Sequence, residues 1–559
     1  DRIHEPARRH ELLHLVALSL AREGIDSRAA FTEAIEALEE WVRRVPPEQM
    51  RLEILEDSFR LFSDALTNLP SDESAPRAGF ELCERSRARV FVDGMAGSTP
   101  TLHQDPRVRE AESELRAAQG ALRREQEAAH PREAILTHLR RRIAGIRARH
   151  EQALQDLALR RPHAAAEEGL APLMPAESIQ RILCGDGETA LLEYYVTDEQ
   201  TLLLILLRDT LQLERIPIGH RDLSKRIGAA LQPIDQTSRS ANPLHLWRLK
   251  TQPLRELAGL LIGPALPALG SVRRLLIVPA PVLQPLPFEM LVLRMPGERG
   301  WKPPPDADRY SAPEYLVERF EVAYGASANA LALSCPRSAP PNRDTKVVAF
   351  GDPEALPPLP ATGLELEAIA AHYPRAHLLR GSEAGIARYR ELAPRADLLH
   401  LGCHGVIDLD RPAYSGLLLA GKEGEDALLQ SYEIAEILLP RAPTVVLSGC
   451  RVAGGKLSRV EGYLGLCRAF SLAGAGIVLG SIWPVEEEAG AALCRAFYAA
   501  LRHSHGDALA AISAAKRSML RRESRDRPLA RSHPYFWAGF RAHGAAPAPS
   551  GGQIAEHRT

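Results

Sequence analysis

The chain has 559 residues, 45% of them hydrophobic and 25% charged, which is ordinary globular composition but too long for one core, so two to four domains are expected. A net charge of −2 excludes a global pull toward nucleic acid or an anionic membrane. Seven scattered cysteines with no CxxC pair exclude a disulfide framework and point to a reduced, cytoplasmic setting.

The longest apolar stretches, near Leu203 and from Ser471, are too short for a bilayer, so no membrane span is expected. The chain begins at Asp1 rather than Met, as a segment of a longer gene product would. From His10 to about Val92 apolar residues recur at helical spacing: Leu12, Leu15, Leu18 and Leu20; Phe31, Ile35, Leu38 and Val42; Leu52, Leu55, Phe59, Leu61 and Leu66; Phe80, Cys83 and Val90. Pro and Asp/Ser clusters break these groups, so antiparallel helix pairs are predicted. They resemble the last units of a tetratricopeptide-like array over residues 1–98. Two roles stand open for them: a surface that binds a partner, or a cap on the next domain.

Over residues 99–165 the pattern narrows to heptads, Val108 to Leu122 on one arm and Leu136 to Leu157 on the other. His130-Pro131 lies between the arms, which predicts an antiparallel helical hairpin. Arg140, Arg141, Arg142, Arg147 and Arg149 on the second arm are balanced by glutamates on the first. With no aromatic residues interleaved, nucleic acid is not expected to be contacted directly. From Ser178 the period changes. Three strands with turns at Thr197-Asp198 and Asp209 are followed by helical material over Arg221–Leu231 and Leu244–Leu261. A strong strand, VRRLLIVPA, comes next, then YLVERFEVAYGAS as an edge strand or hairpin. No nucleophile pairs with a base in residues 166–330, where Cys184 and His220 are isolated.

From Lys346 strands and helices alternate, which predicts a mostly parallel sheet covered on both faces. Two apolar runs end at chemically capable residues: ADLLHLGCHG at His404 and PTVVLSGC at Cys450. Strand ends of this kind border the crevice where open α/β sheets bind ligands, and a thiol beside an imidazole is the pair that nucleophilic catalysis requires. His400, Cys403 and His404 imitate a metal motif. Strand alternation turns His400 away from Cys403 and no second ligand cluster exists, so no metal is expected. The run VVLSGCRVAGGKLS departs from a phosphate loop at Cys450 and Leu457, which removes a required glycine and the magnesium ligand and speaks against a nucleotide-driven switch. No cofactor is expected.

The segments DLLHLGCHG, VVLSGCRVAGGKLSRVEGYLGLCRAFSLAGA, VLGSIWPV and HPYFWAGF closely resemble the CHAT family of caspase-like, separase-related cysteine peptidases, in which such domains follow tetratricopeptide repeats. The resemblance implies a caspase-like α/β sandwich preceded by an all-α repeat and coiled-coil region. Residues 166–330 would be a pseudo-caspase subdomain, 331–545 the protease subdomain and 546–559 a flexible tail. It implies His404 as general base and acid, Cys450 as nucleophile, and the backbone N–H groups of Gly405 and Cys450 as oxyanion donors. Metacaspase-type relatives place an acid two residues before the nucleophile to receive a basic P1 side chain. Here that residue is Ser448, which leaves Asp397, Asp408 or Glu461 to line the pocket if P1 is basic. A cysteine endopeptidase acting on a protein substrate is expected, with a regulatory protein partner on the amino-terminal repeats and a role in bacterial signalling, defence or programmed cell death. The alternative is a catalytically silent caspase-like scaffold that acts by protein–protein interaction.

Overall fold

The computed structural model describes residues 4–45, 48–87, 89–96, 106–128, 130–160, 173–240, 242–304, 307–335, 345–353, 359–421, 427–449, 456–458, 462–521 and 531–545. The amino-terminal part is helical: α1 (His4–Arg22), α2 (Arg28–Arg43), α3 (Glu48–Asp57), α4 (Phe59–Thr67), α5 (Ala75–Ser86) and α6 (Arg89–Ala96). Phe31, Ile35, Leu38, Val42, Leu61 and Phe62 form its own core. Leu12 and Leu15 are 64% and 63% exposed, because α1 packs on α2 through Leu13, Ala17 and Leu18 instead. The helices α7 (Pro106–Glu127) and α8 (Glu133–Arg160) pack side by side as a hairpin.

Among the described residues beyond 188 the chain builds one eleven-stranded sheet and three small ones. In chain order the strands are β1 (Thr189–Val196), β2 (Thr201–Leu206), β3 (Leu211–Ile216), β4 (Arg274–Val278), β5 (Val292–Arg294), β6 (Glu314–Tyr315), β7 (Glu321–Tyr324), β8 (Val347–Pro353) and β9 (His377–Gly381). They continue with β10 (Leu398–Gly402), β11 (His404–Val406), β12 (Gly416–Leu418), β13 (Leu428–Gln430), β14 (Thr444–Leu447), β15 (Lys456–Ser458), β16 (Gly462–Leu464), β17 (Ile477–Ser481) and β18 (Phe540–Gly544). The large sheet has the order β3-β2-β1-β4-β7-β18-β17-β14-β10-β8-β9. Its pairings are parallel except β1/β2, β2/β3 and β17/β18. The inner strands β1, β4, β10 and β17 are buried along their whole length, as Leu/Ile/Val-rich runs covered on both faces must be. The outer strand β3 instead alternates, with Gln212 and Glu214 turned to solvent.

The strand β7, expected at an edge, is internal. It lies between β4 and β18, and β18 arrives from the far end of the chain to cover it. Because β18 is parallel to β7 but antiparallel to β17, the sheet has two halves that run in opposite senses. The carboxyl ends of β4 and β7 therefore face one edge, and those of β8, β10, β14 and β17 face the other.

Helices cover both faces. Leu398, Val446 and Leu479 pack toward helices Pro360–His372 and Glu487–His503, in one core with Leu366, Ile369, Leu493 and Phe497. Leu399, Leu401, Cys403, Val445 and Leu447 pack the other way, against Ile434, Leu466 and Phe470. The alternation of β10 and β14 thus sorts neighbouring residues into two cores.

Candidate active site

Two glycines set how closely a helix meets the strand ends. Gly402 of β10 is paired with Gly351 of β8. A Cβ on Gly402 would lie 3.0 Å from Thr362 Cβ and 3.2 Å from Phe350 O; one on Gly351 would lie 2.8 Å from Leu366. Without those carbons the helix Pro360–His372 sits directly on the carboxyl ends of β8 and β10. Beyond β10 the chain turns at Cys403 and enters β11, where His404 pairs with Leu418 of β12. His404 and Gly405 are both half-buried. β12 pairs in turn with β13, so His404 begins a three-stranded ribbon at the rim of the large sheet.

The helical hairpin backs this ribbon. Arg147 of α8 pairs with Asp408 at 2.7 Å and lies over the Tyr414 ring at 4.7 Å. His150 Nδ1 is 2.9 Å from Tyr414 Oη, and Arg116 of α7 reaches Glu433 at 3.3 Å. Leu115, Ala118, Ile143 and Ile146 close around Tyr414. A second contact joins the amino-terminal helices to the same end of the protein: Ser458 of β15 donates to Glu56 of α3 at 2.6 Å.

The expected site residues divide as follows. Ser448 follows β14 at the carboxyl edge, and its N–H donates to Leu401 O of β10 at 3.0 Å. Its hydroxyl is turned inward, donating to Glu365 at 2.7 Å. Asp397 does not line a pocket near His404. It precedes β10, at the opposite end of the strand, where it accepts from Arg441 at 2.6 Å and from the Lys346 N–H at 2.8 Å. Asp408 belongs to the ribbon but is taken up by Arg147 and by the Arg411 N–H. Cys450 and Glu461 lie outside the described residues.

His400 is fully buried and held on both ring nitrogens, by Glu365 at 3.0 Å and Tyr498 at 2.8 Å. The sequence offers little to single out Glu365, in a helix with no clear apolar face, or Tyr498, in an ordinary amphipathic one; the glycine pair is the one local sign that a helix comes this close.

Burial pushes the Cys184, Cys403 and Cys467 thiols up to about 12, and those of Cys83 and Cys494 well above their ordinary value. Cys335 is raised for the same reason. None of these is a thiolate at neutral pH. No cluster of metal-ligating side chains occurs among the described residues, and no described helix is long and apolar enough to cross a membrane. A cavity of about 60 Å³ lies between α6, the end of β7 and helix Leu466–Leu472, and it includes none of the expected site residues.

A large, mostly parallel sheet with helices on both faces, behind an amino-terminal helical region, is a caspase-like α/β sandwich. The CHAT domain family matches residues 251–545, and the chain belongs to that family. Tetratricopeptide repeat protein 28 of Homo sapiens is 31% identical over 122 residues, and its Mus musculus counterpart 32% over 121. Each match takes in 21% of this chain but only 4% of the relative's length. Among solved structures, the Saccharomyces cerevisiae separase–securin complex aligns over 97% of this chain and 47% of that one, with 10% identity and a TM-score of 0.45. The Arg-specific cysteine proteinase gingipain R aligns over 53% and 68%, with 6% identity and a TM-score of 0.33.

Proposed function

We propose that the chain is a cysteine endopeptidase in which His404 and Cys450 form the catalytic dyad. The observation that best supports this is the junction of β10 and β14. The Ser448 N–H bonds Leu401 O, His404 follows Leu401 by three residues, and Cys450 follows Ser448 by two. Adjacent strands lie about 4.8 Å apart, so the segments leading into the two residues leave the sheet side by side. The raised thiols of the described cysteines leave Cys450 as the candidate nucleophile.

In this reading the Cys450 thiolate attacks a peptide carbonyl carbon, forming a C–S bond, while the N–H groups of Gly405 and Cys450 receive the oxyanion. His404 takes the thiol proton and gives it to the departing amine as the C–N bond breaks. It then deprotonates a water that hydrolyses the thioester. Residues 1–98 receive a regulatory protein partner, the hairpin over 99–165 bears on the His404 ribbon, and residues 166–330 support the protease half over 331–545. The substrate is a cytoplasmic protein cut at few sites, in bacterial signalling, defence or programmed death.

The test is digestion of a pooled peptide library by the wild-type protein and by Cys450→Ala, read by mass spectrometry. Cuts that require the cysteine are expected. No cuts, together with no selective labelling of Cys450 by a thiol-directed electrophile, would leave the catalytically silent scaffold as the better reading.

A further inference from the structure

One buried group touches both strands of the proposed dyad and has no part in the chemistry above. Glu365, 2% exposed, reaches from helix Pro360–His372 with one carboxylate oxygen on each strand. Oε2 is 3.0 Å from His400 Nε2 on β10, and Oε1 is 2.7 Å from Ser448 Oγ at the end of β14. A carboxylate only accepts, so His400 Nε2–H and Ser448 Oγ–H are the donors. Nδ1 of His400 is then left to accept from the Tyr498 hydroxyl at 2.8 Å, and the Cys494 thiol points at Ser448 Oγ from 3.9 Å. Tyr498 and Cys494 both come from helix Glu487–His503, which packs on helix Pro360–His372.

We propose that Glu365 is a positioning residue: a carboxylate clip that fixes the ends of β10 and β14 relative to one another, and through them the separation of His404 and Cys450. The inference rests on the dyad reading. Four features of the site carry it. The two bonds go to different strands, whereas a carboxylate serving one helix or one strand would have both on the same element. The strand ends also share the Ser448 N–H to Leu401 O bond, so a shift of one is felt by the other. Gly351 and Gly402 exist at the two positions where a side chain would lift the helix, and Glu365 with it, off the sheet. Finally, the network is closed, with every donor matched to an acceptor, so it holds one arrangement. The same bonds commit the Ser448 hydroxyl to the interior.

The test uses the full chain with Glu365→Ala and Glu365→Gln, and three readouts. Hydrogen exchange of the peptide containing residues 445–449 reports the strand junction whether or not the protein is an active peptidase. Faster exchange is expected in Glu365→Ala and near wild-type exchange in Glu365→Gln. Glutamine can still bridge, because its amide donates to one partner and its oxygen accepts from the other once His400 changes tautomer. The pH profile of Cys450 alkylation by iodoacetamide reports the dyad, and Glu365→Ala is expected to shift it toward that of an ordinary thiol. With a cleaved peptide in hand, kcat is expected to fall on the order of 100-fold in Glu365→Ala with KM little changed, and to recover in Glu365→Gln.

Unchanged exchange in Glu365→Ala would overturn the clip outright. Faster exchange with an unchanged alkylation profile would reduce Glu365 to a structural residue and overturn the positioning role. An ordinary-thiol profile for Cys450 in the wild-type protein would refute the dyad itself and remove what Glu365 is proposed to position, whereas the exchange readout would still report the bridge between strands.

Discussion

Acid should unfold this protein through His533, and the size of the effect follows from its surroundings. His533 is completely buried in the HPYFWAGF segment. Its Nδ1 accepts the Tyr535 N–H at 3.0 Å, its Nε2 donates to Leu246 O at 3.1 Å, and its ring meets Tyr310 edge-on at 4.3 Å. Both nitrogens are used by the neutral form, and a second proton would face an N–H donor at a site closed to water. Burial accordingly drives the pKa from 6.5 down to about 3. A base with a depressed folded pKa binds fewer protons folded than unfolded between those two values. Its contribution is thus complete above pH 6.5, erodes as pH falls below it, and is exhausted near pH 3. At about 1.4 kcal/mol per pH unit, acidification from 6.5 to 5 removes roughly 2 kcal/mol through this one ring. The comparison that isolates it is His533→Asn, which keeps an oxygen to cap the Tyr535 N–H but cannot titrate. The variant should be less stable at pH 7, by about 1–3 kcal/mol for the lost bond to Leu246 and the ring contacts. Its further loss between pH 7 and pH 5 should be about 2 kcal/mol smaller than in the wild type. Urea midpoints followed by tryptophan fluorescence would read this, since Trp537 is buried within the segment and Trp483 is buried against it. Equal pH slopes in the two proteins would refute the reasoning.

Three further outcomes are expected. Lys516 is buried and donates to Glu289 at 2.6 Å, with Tyr324 on the other carboxylate oxygen. Lys516→Met should cost about 3–5 kcal/mol by thermal unfolding because it strands the Glu289 charge, and adding Glu289→Gln should recover much of the loss. Gly402→Ala should cost about 1–3 kcal/mol through the clash with Thr362, whereas Gly228→Ala, at an exposed position of helix His220–Ser240 with nothing within 4 Å, should gain about 0.5–1 kcal/mol. Equal effects would mean that helix Pro360–His372 does not rest on Gly402. Arg147→Ala removes the Asp408 bond and the Tyr414 contact, a loss of about 1.5–3 kcal/mol for a charged hydrogen bond in a partly buried setting. It should speed hydrogen exchange over residues 404–418, and an unchanged ribbon would show that the hairpin does not support it.

What was legible in the sequence is what short-range pattern encodes. Runs such as LLHLG and TVVL announce strands because a strand covered on both faces must be apolar throughout, and alternation sent His400 and Cys403 to different cores. The proposed dyad was visible for the same reason, as reactive residues standing where such runs end. Partnerships across the chain were not. β7 reads as an edge strand from its own residues, and only β18, more than two hundred positions later, makes it internal. Asp397 is only seven positions from His404, but five residues of extended strand at about 3.3 Å each intervene and carry it to the other end of the sheet. Glu365 is the sharpest case. On its helix it is one of two acids, with Glu367, and its burial is decided by two glycines on strands that do not include it.

That pattern bears on how the protein is assembled. The two halves of the sheet run in opposite senses and meet through β18, the last strand of the described chain, whose Arg541 donates to Gln284 O and stacks on Tyr324 of the earlier half at 4.5 Å. Neither half can complete its inner edge until that strand is delivered, because β7 and β17 would each present unpaired backbone groups to water. The proposed dyad lies in the later half, yet the ribbon bearing His404 is backed by α7 and α8, which precede the whole sheet in the chain. The candidate site is therefore bounded by contacts from helices that precede the alternating segment by some two hundred residues, and its geometry depends on more of the chain than that segment alone.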